Sequence, residues 1–205
     1  MVSPLLASLF DDPPTVHPTS PTGVWRTDNS CYSLIEEEVP HGATTLEMGL
    51  GLSTALFCML GCTHTTIFFD PDEEQLFRKW AQRREVSVDN IRFIVGKSEE
   101  ILPDLELPAL DAVFIDGGHG FPGPIIDWFY GARHLREGGL LVLDDVQFFA
   151  PAQLDGVLQL DSRWTSLKRT PKWSAYRRDW SGPLAEHEWQ QPFVHPAEPR
   201  PGYDW

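Results

Sequence analysis

Short runs of branched and aromatic residues alternate along the chain with segments whose apolar positions recur at helical spacing. Each run is bounded by Gly, Pro or polar residues, which is typical of strands buried on both faces of a parallel sheet. The pattern predicts strands at Thr44–Met48, Thr65–Phe69, Ile91–Val95, Leu110–Ile115 and Gly139–Leu143. It predicts helices at Asn29–Glu38, Leu52–Leu60, Asp72–Arg84, Ser98–Leu102, Pro124–Leu135 and Ala152–Leu160.

Two further strand-like runs follow the last of these helices, at Trp164–Arg169 and Trp173–Arg178. The turn that joins them, Thr170-Pro171-Lys172, is typical of a β-hairpin. Alternating strands and helices followed by a hairpin predict an α/β fold, which is a three-layer Rossmann-like sandwich. Its sheet is expected to be mostly parallel, with a C-terminal antiparallel β-hairpin.

The Pro-rich ends of the chain indicate its domain organisation. Residues 1–27 are predicted to be an extended N-terminal segment, and residues 28–180 to be one folded domain. Residues 181–205 form a tail rich in Pro and aromatic residues. The tail is expected either to pack on the surface or a second subunit, giving a possible homo-oligomer, or to be loosely ordered.

Charge and hydrophobic pattern exclude several classes of partner. The chain has 16 Lys and Arg against 30 Asp and Glu, a formal net charge of −14, which disfavours binding to nucleic acid. A basic cluster on the predicted hairpin, which includes Lys172 and Arg178, is interpreted as a solvated strand pair. No membrane span or secretion signal is found, so we expect a cytoplasmic protein without a membrane partner. The 3 cysteines are interpreted as core thiols.

Acidic residues end two strands that a β-α-β unit makes parallel neighbours. Asp116 follows the first strand, and Asp144 and Asp145 follow the second. Parallel strands present their carboxyl ends at one edge of the sheet, so these carboxylates and His119 are expected to share a pocket. Each acid alone is more often a structural cap, but the combination predicts a site that holds a cation or a proton. Asp127, on the intervening helix, is predicted to lie on the surface.

The first predicted strand runs into the sequence Glu47-Met48-Gly49-Leu50-Gly51-Leu52-Ser53 and then a helix. Glycines let the backbone approach a ligand, and a helix N-terminus offers free N–H groups to an anion. Asp70 follows the second strand, where a carboxylate can accept both hydroxyl hydrogens of a ribose. Together these features predict a ligand that contains adenosine.

Five segments carry a resemblance to a known family: EMGLGLS, FFDPD, VGKSEEILPDL, FIDGGHG and LREGGLLVLDDV. Across residues 28–178 the chain resembles the class I S-adenosylmethionine-dependent methyltransferases. It is most similar to small metal-dependent O-methyltransferases of the catechol O-methyltransferase type and to their sugar- and macrolide-modifying relatives. The resemblance implies a seven-stranded sheet whose last strand is antiparallel.

The resemblance also implies roles for individual residues. It assigns cofactor binding to Glu47, Gly49, Gly51, Ser53, Asp70, Ser98 and Asp116. It assigns a divalent cation, Mg²⁺ with Mn²⁺ or Ca²⁺ as substitutes, to Asp116, Asp144 and Asp145, where the family often has Asp-Asn in place of the last two. His119 and Asp116 are expected to be catalytic, with His119 at the position of the family's base. A cation held by carboxylates would align a hydroxyl and lower its pKa for methyl transfer.

The sequence therefore predicts metal-assisted methyl transfer from S-adenosylmethionine to a hydroxyl of a small molecule, such as a catechol-like compound or a sugar or natural-product diol. A nicotinamide-dependent oxidoreductase is an alternative. The incomplete G-x-G-x-x-G motif disfavours it, and so does His134 where a Tyr130-x-x-x-Lys pair would place lysine. A non-catalytic cofactor-binding or regulatory module also stays open, because the first loop is shorter than in many relatives.

Overall fold

The computed structural model describes residues 2–182, which form a seven-stranded sheet with helices on both faces. The strands lie in the order β3-β2-β1-β4-β5-β7-β6. Their bounds are β1 Thr44–Met48, β2 Thr63–Phe68, β3 Ile91–Val95, β4 Leu110–Ile115, β5 Leu135–Leu143, β6 Trp164–Arg169 and β7 Ser174–Arg178. The strands β3, β2, β1, β4 and β5 are parallel, and β7 pairs antiparallel with both β5 and β6. The predicted fold class is confirmed.

The helices connect these strands and cover the sheet. They are α1 Pro4–Asp11, α2 Asn29–Glu38, α3 Leu52–Met59, α4 Pro71–Arg83, α5 Ser98–Ile101, α6 Gly123–Gly131 and α7 Phe149–Leu160, with 3₁₀ turns at Leu102–Asp104 and Ala132–His134. One layer of the core packs α1 to α4 against the sheet, and the other packs α6 and α7 against the opposite face. Among residues 2–182, no helix has the length and apolar character needed to cross a membrane.

Most predicted strand bounds agree with the structure to within one or two residues, and the start of β5 is an exception. The strand begins at Leu135, which pairs with Leu110, whereas the pattern placed its start at Gly139. Residues 136–138 are exposed and polar or glycine, and the register shifts between Leu110 and Ala112. The apolar run therefore marks only the buried half of the strand.

The N-terminal segment is not extended throughout, which corrects the prediction for residues 1–27. Its helix α1 begins after Ser3, whose hydroxyl caps the Leu6 N–H, and Pro4 occupies the first turn. Leu6 and Leu9 are fully buried in the core. The capping serine and apolar spacing are local signals that the proline-rich composition obscured. The predicted tail at 181–205 lies almost entirely outside the described residues.

Sheet register positions the functional edge. Met48, Ile115 and Leu143 are paired neighbours at the ends of β1, β4 and β5. The next residues stay in register, because the Asp116 N–H donates to the Met48 carbonyl at 3.0 Å and the Asp144 N–H donates to the Ile115 carbonyl at 3.0 Å. The two acids are therefore adjacent, as the β-α-β pattern predicted.

Candidate functional site

A cavity of about 1110 Å³ opens at the carboxyl edge of the sheet. Its walls come from segments far apart in the chain. They are the loop 49–53 after β1, the N-terminal residues 13, 17, 22 and 24–26, residues 67–69 and 73, the loop 96–99, and the acidic edge with 116–119, 144, 145, 148 and 172. The predicted site residues Gly49, Gly51, Ser53, Ser98, Asp116, His119, Asp144 and Asp145 all lie in these walls.

Gly49 lets the first loop pass directly over the acidic edge. Its backbone φ is +122°, a conformation that favours glycine, and an added Cβ would lie 2.9 Å from the Asp116 carbonyl oxygen. The loop and the acidic edge are thus in van der Waals contact. A side chain at this position would separate the two halves of the site.

Glu47 supports the first loop from below and is not part of the cavity wall. It is buried, and its carboxylate accepts hydrogen bonds from the hydroxyls of Ser53 and Thr54, the latter at 2.6 Å. The Nε2 of His64 lies 3.2 Å from the same carboxylate. These contacts fix the first turn of α3, so Glu47 positions the first loop. Its contact with the cofactor stays a prediction.

Asp70 caps α4, with its carboxylate accepting the Asp72 N–H at 2.9 Å. Phe69 and Glu73 line the cavity on either side of it, whereas Asp70 itself is not among the lining residues. The second carboxylate oxygen of Asp70 is not used by the cap. Ribose binding by Asp70 stays a prediction, and Glu73 is a neighbouring carboxylate that the sequence pattern did not single out.

Ser98 begins the short helix α5 in the cavity wall, and Asp127 of α6 lies behind it. Asp127 is only 1% exposed, which corrects its predicted surface position. Its Oδ1 has no hydrogen-bond partner within the described residues, and its Oδ2 lies 3.5 Å from where a Gly117 Cβ would be. Burial raises the pKa of Asp127 to about 7, although the Ser98 hydroxyl acts to lower it. A titratable carboxyl therefore underlies the cavity floor.

Asp145 is the centre of the acidic edge. Its Oδ2 lies 2.8 Å from the Nε2 of His119, and its Oδ1 accepts a hydrogen bond from the Lys172 ammonium at 2.6 Å. Gln147 donates to the same Oδ1 at 2.7 Å. The backbone φ of Asp145 is +57°, a conformation that is uncommon for a residue with a side chain. This conformation turns its carboxylate toward two partners on different segments.

Asp144 is held separately from Asp145. It is 3% exposed, and its Oδ1 accepts a hydrogen bond from the Thr27 hydroxyl at 2.6 Å. Its Oδ2 lies 3.5 Å from the Lys172 ammonium. A ligand atom from each of Asp116, His119 and Asp145 lies within 4.8 Å of the others, and Asp144 is not in that group. The metal role of Asp144 stays a prediction.

The pKa values of the three carboxyl groups are shifted in different directions. Burial raises the pKa of Asp116 well above its usual value, and the Asp144 carboxylate raises it further. Burial also raises the pKa of Asp144, despite the opposing effects of the Thr27 hydroxyl and Lys172. For Asp145, hydrogen bonds from His119, Lys172 and Gln147 outweigh burial and hold the pKa below its usual value. The acidic edge therefore combines one carboxyl whose pKa is lowered with two whose pKa is raised.

The donor set suits a hard divalent cation. The Asp116 and Asp145 carboxylates lie close together beside His119, and carboxylate oxygens are the ligands that Mg²⁺ and Mn²⁺ prefer. The residues present thus fit the group that the resemblance implies. The Lys172 ammonium, already in contact with two of the acids, is the feature that departs from a simple carboxylate site.

His119 stands at the rim of the cavity and is 40% exposed at its side chain. Its ring stacks on Phe148, with ring centres 5.0 Å apart and an interplanar angle of 16°. Phe148 therefore packs on one face of the imidazole, and Asp145 contacts its Nε2 edge. Phe148, which follows the acidic pair by a few residues, is itself 47% exposed in the cavity wall.

The N-terminal segment supplies a wall that sequence reasoning missed. His17 stacks on Trp25 at 4.8 Å between ring centres, and its Nδ1 lies 3.0 Å from the Glu73 carboxylate. Its Nε2 lies 3.5 Å from where a Gly51 Cβ would be. The segment is therefore packed over the first loop. No local pattern marks His17 or Thr27, because their partners lie far away in the sequence.

Lys172 was also missed, and its assignment to a solvated strand pair is wrong. It lies in the cavity wall, and Arg178 of the same basic cluster is buried. A topological signal existed, because an antiparallel last strand must begin beside the point where β5 ends. Leu143 and Ser174 are indeed paired. A lysine just before β7 is thereby placed at the acidic edge.

Comparison with known proteins gives a match over the central part of the chain. Residues 46–146 match the family described as a methyltransferase domain. No curated protein sequence matches the chain. The structure is similar to those of several methyltransferases, although sequence identity is low.

One of these is the O-methyltransferase TomG from Streptomyces achromogenes, involved in tomaymycin synthesis and solved with S-adenosylmethionine. It has a TM-score of 0.67 at 15% identity, covering 88% of this chain and 92% of TomG. The Podospora anserina methyltransferase PaMTH1, bound to S-adenosylhomocysteine, has a TM-score of 0.63 at 16% identity, covering 87% and 89%. A methyltransferase from Geobacter sulfurreducens has a TM-score of 0.61 at 15% identity, covering 87% and 90%. Residues 46–146 thus match a methyltransferase domain, and the described residues have the fold of these enzymes.

Proposed function

We propose that the protein transfers the methyl group of S-adenosylmethionine to a hydroxyl of a small molecule, with assistance from a divalent cation. The observation that carries this proposal is the His119–Asp145 pair beside the first loop, in one cavity. A nucleophilic hydroxyl must lose a proton as it attacks, and an imidazole oriented by a carboxylate is suited to accept one. The binding and acid–base functions are therefore adjacent.

The orientation of His119 assigns the proton. The Nε2 faces the Asp145 carboxylate at 2.8 Å, so Nε2 carries the hydrogen that Asp145 accepts. This leaves Nδ1 to take up the hydroxyl proton of the acceptor. As the oxygen–carbon bond forms and the sulfur–carbon bond breaks, the methyl group passes to oxygen, the electron pair of the broken bond stays on sulfur, and the proton stays on Nδ1.

A cation would be held by Asp116 and Asp145, with Asp144 as the third carboxylate that the resemblance implies. When bound, such an ion orients a hydroxyl and lowers its pKa. The protein's own part is to keep acceptor, base and cofactor loop in one alignment, because methyl transfer needs the reacting atoms in line. The close contact of Gly49 with Asp116 serves this alignment.

The size and lining of the cavity favour a small acceptor beside the cofactor. A single drug-sized ligand fills a pocket of roughly 300–1,000 Å³, and this cavity is about 1110 Å³. Phe148 is partly exposed in the cavity wall and stacks on His119. An exposed aromatic ring beside the base favours an acceptor with a flat or apolar body, such as a catechol-like compound, over a bare sugar.

The decisive experiment combines binding and turnover. Calorimetry should show binding of S-adenosylmethionine and S-adenosylhomocysteine, and a panel of catechols, phenols and sugar diols should yield S-adenosylhomocysteine in the presence of Mg²⁺. Cofactor binding without turnover on any hydroxylated compound would favour a non-catalytic module of the same fold. Binding of NAD in place of S-adenosylmethionine would overturn the proposal.

A further inference from the structure

Lys172 is fixed to the acidic edge by its backbone as well as by its side chain. Its carbonyl accepts a hydrogen bond from the Val146 N–H at 2.8 Å, and its N–H donates to the Thr170 hydroxyl at 3.2 Å. These bonds place the root of the side chain beside the turn that carries Asp144 and Asp145. The position follows from the fold and does not require a particular surface rotamer.

The ammonium of Lys172 bridges the two neighbouring acids. It lies 2.6 Å from Asp145 Oδ1 and 3.5 Å from Asp144 Oδ2, and the side chain is 30% exposed. Both acids are less exposed than the lysine, and the Lys172 ammonium lies within 4 Å of an oxygen of each. Among the described residues, no other Lys or Arg forms an ion pair with Asp144 or Asp145.

A divalent ion coordinated through Asp145 Oδ1 would need the oxygen that Lys172 now contacts. Mg²⁺ binds carboxylate oxygen at about 2.0–2.1 Å and Ca²⁺ at about 2.3–2.6 Å, so an ion on Asp145 Oδ1 would lie within a few ångströms of Nζ in its present place. Two cations that close repel each other in a partly buried site. The ammonium and the ion therefore cannot both make their best contacts with Asp145.

We infer that Lys172 is the protein's own cation for the acidic edge, and that a divalent ion binds there only by displacing the Lys172 ammonium from Asp145. This inference rests on the proposed metal site. Lys172 thereby sets the affinity for metal. Its charge stabilises the three carboxylates when no ion is bound, and this makes the free energy of binding an ion less favourable. The role belongs to this chain's hairpin, which brings a lysine to the end of β5.

The test compares Lys172→Met with Lys172→Arg and with Lys168→Met. The first removes the charge at similar length, the second keeps a charge, and the third removes a charge from the exposed face of the same hairpin. Mn²⁺ binding is measured by calorimetry, and thermal unfolding is measured in excess chelator. Lys172→Met should bind Mn²⁺ at least tenfold more tightly than wild type and should melt at a lower temperature in chelator. Lys172→Arg and Lys168→Met should stay close to wild type in Mn²⁺ affinity.

A double variant separates charge from packing. If Lys172 acts through Asp145, Lys172→Met should lower the melting temperature by less in an Asp145→Asn background than in wild type. Equal or weaker Mn²⁺ binding by Lys172→Met, or the absence of Mn²⁺ binding in both proteins, would overturn the inference. Absence of Mn²⁺ binding would also remove the divalent cation from the proposed function, whereas methyl transfer itself fails only if S-adenosylmethionine does not bind or no hydroxyl is methylated.

Discussion

His119 and Asp145 form a pair with 2.8 Å between Nε2 and Oδ2, and the backbone of Asp145 adopts a positive φ in that arrangement. The pair joins the loop after β4 to the loop after β5. It defines which imidazole nitrogen is free, and this makes the role of His119 testable by substitutions that keep or remove single hydrogen bonds.

His119→Ala should lower kcat by about 10²–10⁴, the usual contribution of a general base, with little effect on cofactor affinity. Steady-state kinetics would measure kcat, and calorimetry would measure cofactor affinity. His119→Gln serves as the control, since its amide reaches the position of Nε2 and can still donate to Asp145. Retention of kcat in that variant would remove His119 from proton transfer.

Asp70→Asn should weaken S-adenosylmethionine binding by about 1.5–3 kcal/mol, the scale for a lost hydrogen bond to a charged group. Asparagine still caps a helix, so α4 should keep its stability, whereas Asp70→Ala would disturb both cap and ligand. Calorimetry with each variant, beside unfolding curves, separates the two effects. Unchanged affinity in Asp70→Asn would shift attention to Glu73, the carboxylate that lines the cavity nearby.

Activity should vanish in chelator and return with Mg²⁺ or Mn²⁺, because the acidic edge concentrates carboxylates that a divalent ion offsets. Asp116→Asn should weaken Mn²⁺ binding by at least about tenfold, the scale seen when even the partners of metal ligands are removed. Asp89→Asn, an exposed change before β3, is the matched control. Full turnover by wild type in excess chelator would leave His119 to act without an ion.

Asp127 should make the fold less stable as pH rises. Its pKa is about 7 in the folded protein, above the ordinary value of 3.8. Below pH 3.8 the carboxyl is protonated in both states. Between these two values the carboxyl is ionised in the unfolded state but still protonated in the folded state. The contribution of Asp127 to the free energy of unfolding therefore falls by about 1.4 kcal/mol per pH unit, and it levels off above the folded-state pKa.

Asp127→Asn should therefore gain stability over wild type as the pH is raised from 5 to 8. Urea unfolding of both proteins at the two pH values measures the difference, with the exposed Asp104→Asn as control. A difference that is the same at pH 5 and pH 8 would show that Asp127 does not titrate in this range.

Gly49→Ala should destabilise the fold and abolish cofactor binding. Its added Cβ would meet the Asp116 carbonyl at 2.9 Å, with φ at +122°. Gly118→Ala is a fitting comparison, because Gly118 lines the same cavity and an added Cβ there has nothing within 4 Å. Unfolding and calorimetry would show the contrast, and equal behaviour of the two alanines would contradict the close contact between the first loop and the acidic edge.

The sequence was sufficient for the sheet and for the acids at its edge. Hydrophobic runs locate β1, β3 and β4 directly, and parallel connections then place Asp116 beside Asp144 without further information. Thr27 was beyond such reasoning, since it lies 117 positions from its partner Asp144. A contact of that kind depends on how the N-terminal segment packs.

Asp127 shows a different limit. It sits in an apolar helix, α6, and a lone acid in such a helix is usually placed on the outer face. The helix is instead covered on that side by α5 and the Gly117 turn, so the acid is buried. Helical spacing identifies the apolar face of a helix, but it does not reveal which other segments pack against the opposite face.

The N-terminal segment has a practical meaning for anyone who works with a fragment of this protein. A fragment that begins at residue 28 would keep each motif of the sequence resemblance and every strand of the sheet. It would lose the Thr27 hydroxyl from Asp144, the stacked His17 and Trp25 above Gly51, and the buried leucines of α1. The cavity would lack the wall that the N-terminal residues form, and the acidic edge would be exposed to bulk water on that side. Boundaries chosen from motifs alone would thus yield a recognisable domain whose failure in an assay says nothing about the chemistry of the whole chain.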